Sequence, residues 1–342
     1  MRVRSSTTDV DADATRPAWF EAFLADRGTR KPSVHTMKAY RQDFDAIAAL
    51  IVGDEQPVAG MPMSAITTDL LRTAFARYAA THEAASIRRC WSTWNVLCTY
   101  LFTAELILAN PMPQIGRPKT AKTMPKALST NVVTELVASM DDEIEQRRSD
   151  WPERDRAIVF TALLAGLRSE ELINTNIGDI RRSADGAVIH VRGKGMKDRR
   201  VPIEPALVEV IDDYLNSRHT RLPPRAKRRS PSEGVTAWSP NAPLFVGTDG
   251  ERITRGTLQY RVLRAFKKAG INGERVRGAL VHGLRHTFAT ELANSEVSVY
   301  SLMNLLGHES MSTSQRYVSA AGNETRHAAA KNPLYGILDK SE

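Results

Sequence analysis

The first part of the chain carries apolar residues at helical spacing. Trp19, Phe20, Phe23 and Leu24 open the pattern, and three further amphipathic stretches follow. The predicted helices begin near Arg16, Ser33, Thr68 and Ala85, and the fourth is predicted to continue to Ile107. Four helices of this size can form a small bundle, so residues 16–111 are predicted to form a helical domain.

Two segments beside this domain lack an apolar period. Residues 1–15 are small and polar and are predicted to be disordered. Residues 112–127 are rich in proline and lysine, which is typical of a linker between domains. This leaves residues 128–342 as a second domain, which ends in a C-terminal tail, 320–342.

The second domain mixes helical and strand patterns. Residues 188–203 alternate on both sides of a Gly-Lys-Gly turn and predict a β-hairpin. Residues 310–313 predict a turn, and 219–241 predict a long basic loop. Helices are predicted at 132–140, 153–164, from Arg168, at 205–218, 255–268, 284–292 and 299–306, with an extended run at 242–246. The predicted class is mainly α with a small β-sheet or hairpin (α+β).

The composition, with 25% charged and 42% hydrophobic residues, fits a globular protein. No apolar run reaches the ~18–20 residues of a membrane-spanning helix, and no secretory signal is visible. Cys90 and Cys98 lie too far apart in one helical pattern for a disulfide, so they are expected to be reduced core residues. These features predict a cytoplasmic protein.

The net charge of +8 makes nucleic acid a candidate partner. The first domain and the linker present cations that could contact phosphates. The candidates are Lys38, Arg41, Arg88, Arg89, Lys119 and Lys122. A structural or protein-binding bundle is the alternative, and whether the basic loop 219–241 touches DNA stays open.

The stretch 281–318 combines groups that an attack on phosphate needs. Tyr317 offers an oxygen nucleophile, Arg285 a fixed cation, and His282 and His308 can hold or move protons. Arg168 begins a short predicted helix, where its charge opposes the helix dipole. That conflict indicates a functional reason for the arginine.

The order of these motifs resembles the catalytic box of the tyrosine recombinases, also called phage integrases. H-x-x-R-H begins at His282, L-L-G-H ends at His308, and Tyr317 follows nine residues later. His286, the last residue of the first motif, is a supporting residue by this match.

Two further motifs extend the resemblance. G-L-R-S-E-E-L resembles the first arginine box of the family, which makes Arg168 the first catalytic arginine and Glu171 its acidic companion. The Gly-Lys-Gly hairpin is similar to the one that carries the family's catalytic lysine, and a residue-for-residue match selects Lys194 rather than Lys197.

The resemblance implies a fold and a mechanism. The fold is an N-terminal four-helix, SAM-like core-binding domain followed by a tyrosine-recombinase catalytic domain, in a simple Xer-like or small-integrase architecture. The reaction is site-specific cleavage and rejoining of DNA through a 3′-phosphotyrosyl intermediate, with no metal and no cofactor. The implied roles are phosphate binding by Arg168 and Arg285, assistance to Tyr317 by His282, protonation of the leaving 5′ oxygen by Lys194, and a hydrogen bond from His308 to the phosphate or Tyr317.

The implied partners are double-stranded DNA with inverted-repeat core sites and further copies of the chain. A tetramer on two DNA sites is expected, with a monomer or weak dimer in the free state. The apolar cluster 333–338 could pack on its own domain or dock into a neighbouring copy. Accessory factors, the target sequence, and the choice among integration, excision, resolution and transposition stay open.

Three other functions are compatible with parts of this sequence. His282 and His286 have a zinc-compatible spacing, but the sequence offers no convincing third ligand. A type IB topoisomerase would use nearly the same groups on a single site. A non-catalytic DNA-binding protein would not need the complete set of six catalytic residue types.

Overall fold

A computed structural model describes residues 15–54, 56–119, 127–141, 150–193, 198–222, 238–273, 280–295, 297–308 and 310–321. The chain divides into two compact units, Met1–Lys122 and Thr123–Glu342. The described residues are mostly helical with a three-stranded antiparallel sheet, which confirms the predicted class. Predictions for the disordered start, Lys122, Lys194, most of loop 219–241 and the tail beyond Ala321 lie outside the described residues.

The first unit contains the helices α1 (Ala18–Thr29), α2 (Val34–Val52), α3 (Thr68–Ala79) and α4 (Ala84–Thr103). Its core is aromatic: the rings of Phe20 and Phe44 stack at 3.8 Å, and Trp94 stacks on Phe44 at 5.5 Å. All three side chains are fully buried. Cys90 and Cys98 are free and buried, as the sequence predicts.

Helix α4 ends at Thr103 and not at Ile107. Glu105 adopts a left-handed backbone conformation with φ 59°, which a helix cannot continue through. The amide of Leu106 donates to the carbonyl of Leu101 and closes the end of the helix. The apolar residues beyond it prolong the periodic pattern in the sequence without prolonging the helix.

The second unit is built around a central helix. The helices are α5 (Thr130–Asp141), α6 (Pro152–Leu164), α7 (Ser169–Asn174), α8 (Pro205–Arg221), α9 (Arg255–Lys268), α10 (Leu280–Asn294), α11 (Val299–Leu306) and α12 (Met311–Ala321). Helix α6 is buried on most sides, Arg154 included, and packs against α8, α9 and α10. It also contacts α7, so it supports both Arg285, on α10, and Arg168, which directly precedes α7.

The sheet has the strand order β1 (Ile180–Ser183), β2 (Gly186–Val191) and β3 (Arg199–Ile203). Strands β2 and β3 pair antiparallel, with Val191 opposite Arg199, so the predicted hairpin is confirmed. Strand β1 was not predicted, because only its first residue is buried and it lacks apolar alternation. Residues 242–246 form isolated bridges rather than a strand.

The polar run 310–313 is not a turn, because α12 begins at Met311. Among residues 311–318 of this helix, those that are buried are Ser314, Tyr317 and Val318, at the spacing of one helical face. A polar residue occupies the first of these positions, so an apolar pattern does not reveal the helix. Tyr317 therefore projects from a helix, where its position is fixed more closely than in a loop.

Among the helices that the structure describes, none combines the length and the apolar composition that crossing a bilayer requires.

Candidate active site

The start of α7 brings an arginine and a carboxylate together. Arg168 precedes the helix, and its amide donates to Glu171 Oε2 at 2.7 Å. Its guanidinium donates to Glu171 Oε1 at 2.8 Å and to the carbonyl of Gly307 at 3.1 Å. The Arg168 side chain stays 42% exposed, so it can still reach a ligand.

Arg285, on α10, is 2% exposed. Its guanidinium donates to the carbonyls of Gly166 and Leu306 and lies 3.9 Å from Glu171. Burial, followed by the positive charge of Arg168, lowers the pKa of Arg285 to about 10, against partial compensation by Glu171. The side chain remains a cation at neutral pH.

Arg199 also belongs to this site, although the sequence did not identify it. Its Nη1 and Nη2 atoms each donate to one oxygen of Glu171 at 2.7 Å. Its Nε donates to the carbonyl of Leu305 at 2.9 Å. The alternation of β3 could have found it, since Arg199 shares the inward face with Val201 and Ile203.

Glu171 is 8% exposed and is surrounded by these guanidiniums. Burial alone would raise the pKa of its carboxyl group, but the hydrogen bonds and charge of Arg199, together with the hydrogen bonds from Arg168, outweigh burial and lower the pKa to about 2. The carboxylate is therefore ionised across the neutral range and holds the arginines in place.

Tyr317 is 4% exposed, and burial raises its pKa. Its Oη atom lies 2.5 Å from His286 Nδ1. His282, which was expected to assist Tyr317, instead lies against His286, with the two ring centroids 4.1 Å apart. The imidazole in contact with the tyrosine hydroxyl is thus the one regarded as supporting.

These histidines are neutral at physiological pH. The pKa of His286 is lowered to about 4, mainly by burial. The positive charge that His282 can carry, and then that of Arg285, lower it further. His282 keeps much of its surface in solvent, yet partial desolvation and then the charges of Arg285 and Arg168 lower its pKa as well.

His308 lies between Tyr317 and Arg285. Arg285 Nη2 donates to His308 Nε2 at 3.4 Å, so Nδ1 carries the ring hydrogen and donates to Ser314 Oγ at 2.8 Å. Its ring is parallel to that of Tyr317 at 6.2 Å. Burial and the charge of Arg285 lower the pKa of His308 to about 4, which keeps this acceptor available to Arg285.

A cleft of about 1240 Å³ opens beside these residues. Arg168, Arg199 and His308 of the site line it, together with Arg192 and Arg252. Carboxylates line it as well, those of Glu170, Glu171, Asp179 and Asp198, so the cationic groups that an anion could meet there are individual guanidiniums and not a uniformly basic wall.

The candidate DNA contacts all belong to the first unit, and all except Lys122 lie within the described residues. Lys38, Lys119 and Arg89 are exposed, whereas Arg41 and Arg88 are half-buried. Arg89 also donates to the fully buried Asp43, with Nε 2.9 Å from Oδ1, so part of its guanidinium is committed within the bundle.

Within the described ranges, no group of three or more His, Cys, Asp or Glu side chains is arranged to hold a metal ion. Lys194 falls outside those ranges, so its place relative to the site is not described. The structure does bring together Arg168, Glu171, His282, Arg285, His286, His308 and Tyr317.

Comparison with known families decides the identity of the chain. The model of the phage integrase family matches residues 126–324, more than half of the sequence. The chain belongs to the phage integrase family of tyrosine recombinases. It is therefore an enzyme of the tyrosine site-specific recombinase class.

Relatives of this family match nearly the whole chain. Tyrosine recombinase XerC of Neisseria meningitidis serogroup C (strain FAM18) is 30% identical over 306 residues, which cover 88% of this chain and 90% of the relative.

Solved structures share the fold. XerH site-specific recombinase, solved in a post-cleavage complex with palindromic difH substrate, has a TM-score of 0.69 at 20% identity, covering 91% of this chain and 83% of that one. A lambda integrase tetramer bound to a Holliday junction has a TM-score of 0.62 at 18% identity, covering 88% and 76%. These likenesses confirm a tyrosine-recombinase fold.

Proposed function

We propose that this recombinase cleaves and rejoins duplex DNA through a 3′-phosphotyrosyl intermediate formed on Tyr317. The observation that carries the proposal is the contact between Tyr317 Oη and His286 Nδ1 at 2.5 Å, beside two candidate phosphate-binding arginines. A buried hydroxyl with a neutral imidazole at hydrogen-bond distance is the arrangement of an activated nucleophile.

The proposed cleavage step forms one bond to phosphorus and breaks another, with Tyr317 as the nucleophile and His286 as the acceptor of its proton. Tyr317 Oη attacks the scissile phosphorus, the bond from phosphorus to the 5′ oxygen breaks, and the hydroxyl proton passes to His286. A phosphodiester entering the site adds negative charge near His286 and offsets the cations that lower its pKa, which makes the ring a better acceptor during attack. Rejoining reverses these transfers with a 5′-hydroxyl of a second strand, so no external energy source is needed.

Arg168 and Arg285 are assigned to the non-bridging phosphate oxygens. Guanidiniums keep their charge through the reaction and match the geometry of two oxygens. In the free protein, both donate to carbonyls at the end of α11. Phosphate oxygens can replace part of these contacts. Negative charge that develops on the equatorial oxygens would then meet fixed cations.

Lys194 is assigned as the general acid for the leaving 5′ oxygen, on the strength of the Gly-Lys-Gly match alone. A lysine in this role typically contributes ~10²–10⁴-fold to the rate. Replacement by alanine should stall cleavage, and a substrate with sulfur at the 5′ position should restore it, because a thiolate leaves without a proton. Rescue of Lys197→Ala instead would show that the other lysine of this hairpin is the acid.

The proposed substrate is duplex DNA with inverted-repeat sites, bound by a tetramer across two sites. XerH and lambda integrase, which share the fold, were solved with DNA, and the latter as a tetramer. The net charge of +8 favours a polyanion. Because the substrate is DNA, we place the activity in the cytoplasm.

A nicked suicide substrate tests the proposal. Cleavage next to a nick releases a short strand and traps the protein as a covalent adduct, which migrates slowly on a denaturing gel. The wild type should form the adduct, and Tyr317→Phe should bind the same DNA without forming it. An adduct from the Phe variant would reject Tyr317, and no adduct from the wild type would favour a non-catalytic DNA-binding protein.

A second assay separates the recombinase from a topoisomerase. A topoisomerase relaxes a supercoiled plasmid that carries one site or none. A recombinase exchanges strands only when two sites are present. Relaxation without any dependence on a site would favour the topoisomerase.

A further inference from the structure

The end of α11 is held by arginines from three separate segments. The amides of Gly307 and His308 donate to the carbonyls of Asn304 and Met303, which closes the helix in the usual way. The next carbonyls in the chain, those of Leu305, Leu306 and Gly307, accept hydrogen bonds from three guanidiniums. The donors are Arg199, Arg285 and Arg168, in that order.

This arrangement suits the electrostatics of a helix terminus. Carbonyls at the C-terminus have no partner within the helix and carry a partial negative charge, which cations stabilise. The three arginines come from β3, α10 and the start of α7. They therefore fix the segment from which His308 projects relative to the rest of the site.

Arg199 differs from the other two arginines in its access to a substrate. Its side chain is 9% exposed, against 42% for Arg168, and both Nη atoms donate to Glu171. It is thus poorly placed to bind a phosphate itself. What it contacts is the carboxylate that also binds Arg168.

The charges around Glu171 show what Arg199 contributes. Three guanidiniums, those of Arg168, Arg199 and Arg285, lie within 4.0 Å of one carboxylate, which leaves two net positive charges. Without Arg199, the charge of Glu171 would offset one of the two remaining guanidinium charges. The scissile phosphate would then interact with roughly half of the net positive charge that surrounds it when Arg199 is present.

We propose that Arg199 is a positioning residue for DNA cleavage, which offsets the charge of Glu171 and orients it so that Arg168, while still bonded to this carboxylate, keeps positive charge for the scissile phosphate. The inference rests on the proposed phosphotyrosyl chemistry. It makes Arg199 part of a unit with Glu171 and with the end of α11, although it does not touch the substrate.

The test compares Arg199→Met, Arg199→Lys and Arg200→Met. Methionine keeps the apolar stem of the side chain, and lysine keeps the charge but cannot bind both oxygens of Glu171. Arg200 is the matched control, since it is the next residue of β3, is also cationic and is exposed on the opposite face. The readouts are the rate of adduct formation on the nicked substrate at saturating DNA, the affinity for that DNA, and the thermal midpoint.

We expect Arg199→Met to slow adduct formation by on the order of 10²-fold, since misplacement of a catalytic group by about 1 Å can cost that much. Its DNA affinity should change little. Arg199→Lys should recover part of the rate, and Arg200→Met should react like the wild type. Equal rates for Arg199→Met and Arg200→Met would overturn the inference.

A double-mutant cycle with Glu171→Gln separates positioning from general loss of structure. If Arg199 acts through Glu171, the penalty of Arg199→Met should largely disappear in the Glu171→Gln background, because the carboxylate charge that needs neutralising is gone. An undiminished penalty would reject the inference. Should Arg199→Met lower the thermal midpoint below the assay temperature, the cycle is run with Arg199→Lys. A wild type that forms no adduct would instead reject the proposed function itself.

Discussion

At the scale of single residues, the two histidines of the H-x-x-R-H motif differ from the sequence expectation in what they contact. His282 and His286 lie one helical turn apart on α10, so both face the same side of the helix. Only His286 lies within hydrogen-bond distance of Tyr317. The sequence motif identifies the turn of helix that lies next to Tyr317, but the packing of α12 against α10 decides which ring contacts its hydroxyl.

The roles of the two histidines can be separated by substitution. We expect His286→Ala to slow adduct formation by ~10²–10⁴-fold, the usual contribution of a general base. His282→Ala should cost less, because His282 reaches Tyr317 only through His286. Single-turnover cleavage of the nicked substrate measures both rates at saturating DNA. A larger loss for His282→Ala would return the role to the residue that the sequence favoured.

The lowered histidine pKa values predict acid sensitivity. The pKa of His286 and that of His308 fall from 6.5 to about 4 on folding. Below pH 6.5 the unfolded chain therefore binds protons that the folded chain resists. The stability that the protein gains from keeping these two histidines neutral should be fully present above about pH 6.5 and should decline as the pH falls towards 4.

Thermal midpoints between pH 4 and 8 check this expectation. The His286→Gln, His308→Gln double variant should lose part of the decline between pH 6.5 and 4. Glu171 acts in a lower window, because its pKa falls from 4.5 to about 2 and its contribution is lost only as the pH drops below 4.5. A double variant with an unchanged profile would show that other groups cause the acid sensitivity.

At the scale of elements, the junction of α11 and α12 concentrates the site. Gly307 ends α11 with φ 61°, a left-handed conformation that favours glycine. A Cβ atom there would lie 3.0 Å from Arg199 Cδ. Gly270 has φ 72° but no heavy atom within 4 Å of its Cβ position. Alanine substitutions at Gly307 and at Gly270 can therefore distinguish the effect of backbone strain from the effect of the contact with Arg199.

We expect Gly307→Ala and Gly270→Ala each to lower the free energy of unfolding by about 1–2 kcal/mol, the cost of a left-handed non-glycine residue. Only Gly307→Ala should also slow adduct formation, because it displaces the Arg199 side chain. Denaturant unfolding and the nicked-substrate assay measure the two effects. A similar cleavage rate in both variants would show that Arg199 adapts without consequence.

Prediction from sequence succeeded where burial follows a period. The bundle helices, α6, α9, α10 and the β2–β3 hairpin all carry apolar residues at the spacing of their element. It failed where a polar residue occupies an inward position, as Ser314 does in α12 and Arg199 in β3, and where a strand is mostly exposed and charged, as β1 is. The motif match supplied Arg168, Arg285, His308 and Tyr317, but no local pattern shows that a buried arginine pairs with Glu171.

At the scale of the whole molecule, the proposed functions of catalysis and DNA binding involve different units. The second unit holds every described residue of the proposed catalytic set, whereas the first unit offers cations on a bundle with its own aromatic core. On this proposal, the catalytic groups belong to the second unit. The expected contribution of the first unit is affinity, which for a polyanion depends on salt.

The salt dependence of DNA binding tests that contribution. Lys38 and Arg41 are three residues apart on α2 and lie on one face of the helix. Replacing both residues with glutamine should reduce the steepness with which log affinity falls with log salt concentration by about 2, since each phosphate contact contributes about 0.9.

The matched control is the double variant Arg72→Gln, Arg77→Gln. Both residues are exposed on α3 of the same unit, and the net charge of +8 falls by the same two charges. If both double variants lose the same slope, the effect belongs to overall charge, and the α2 face is not a DNA-binding surface. A loss confined to the Lys38 and Arg41 variant would place α2 against the phosphate backbone.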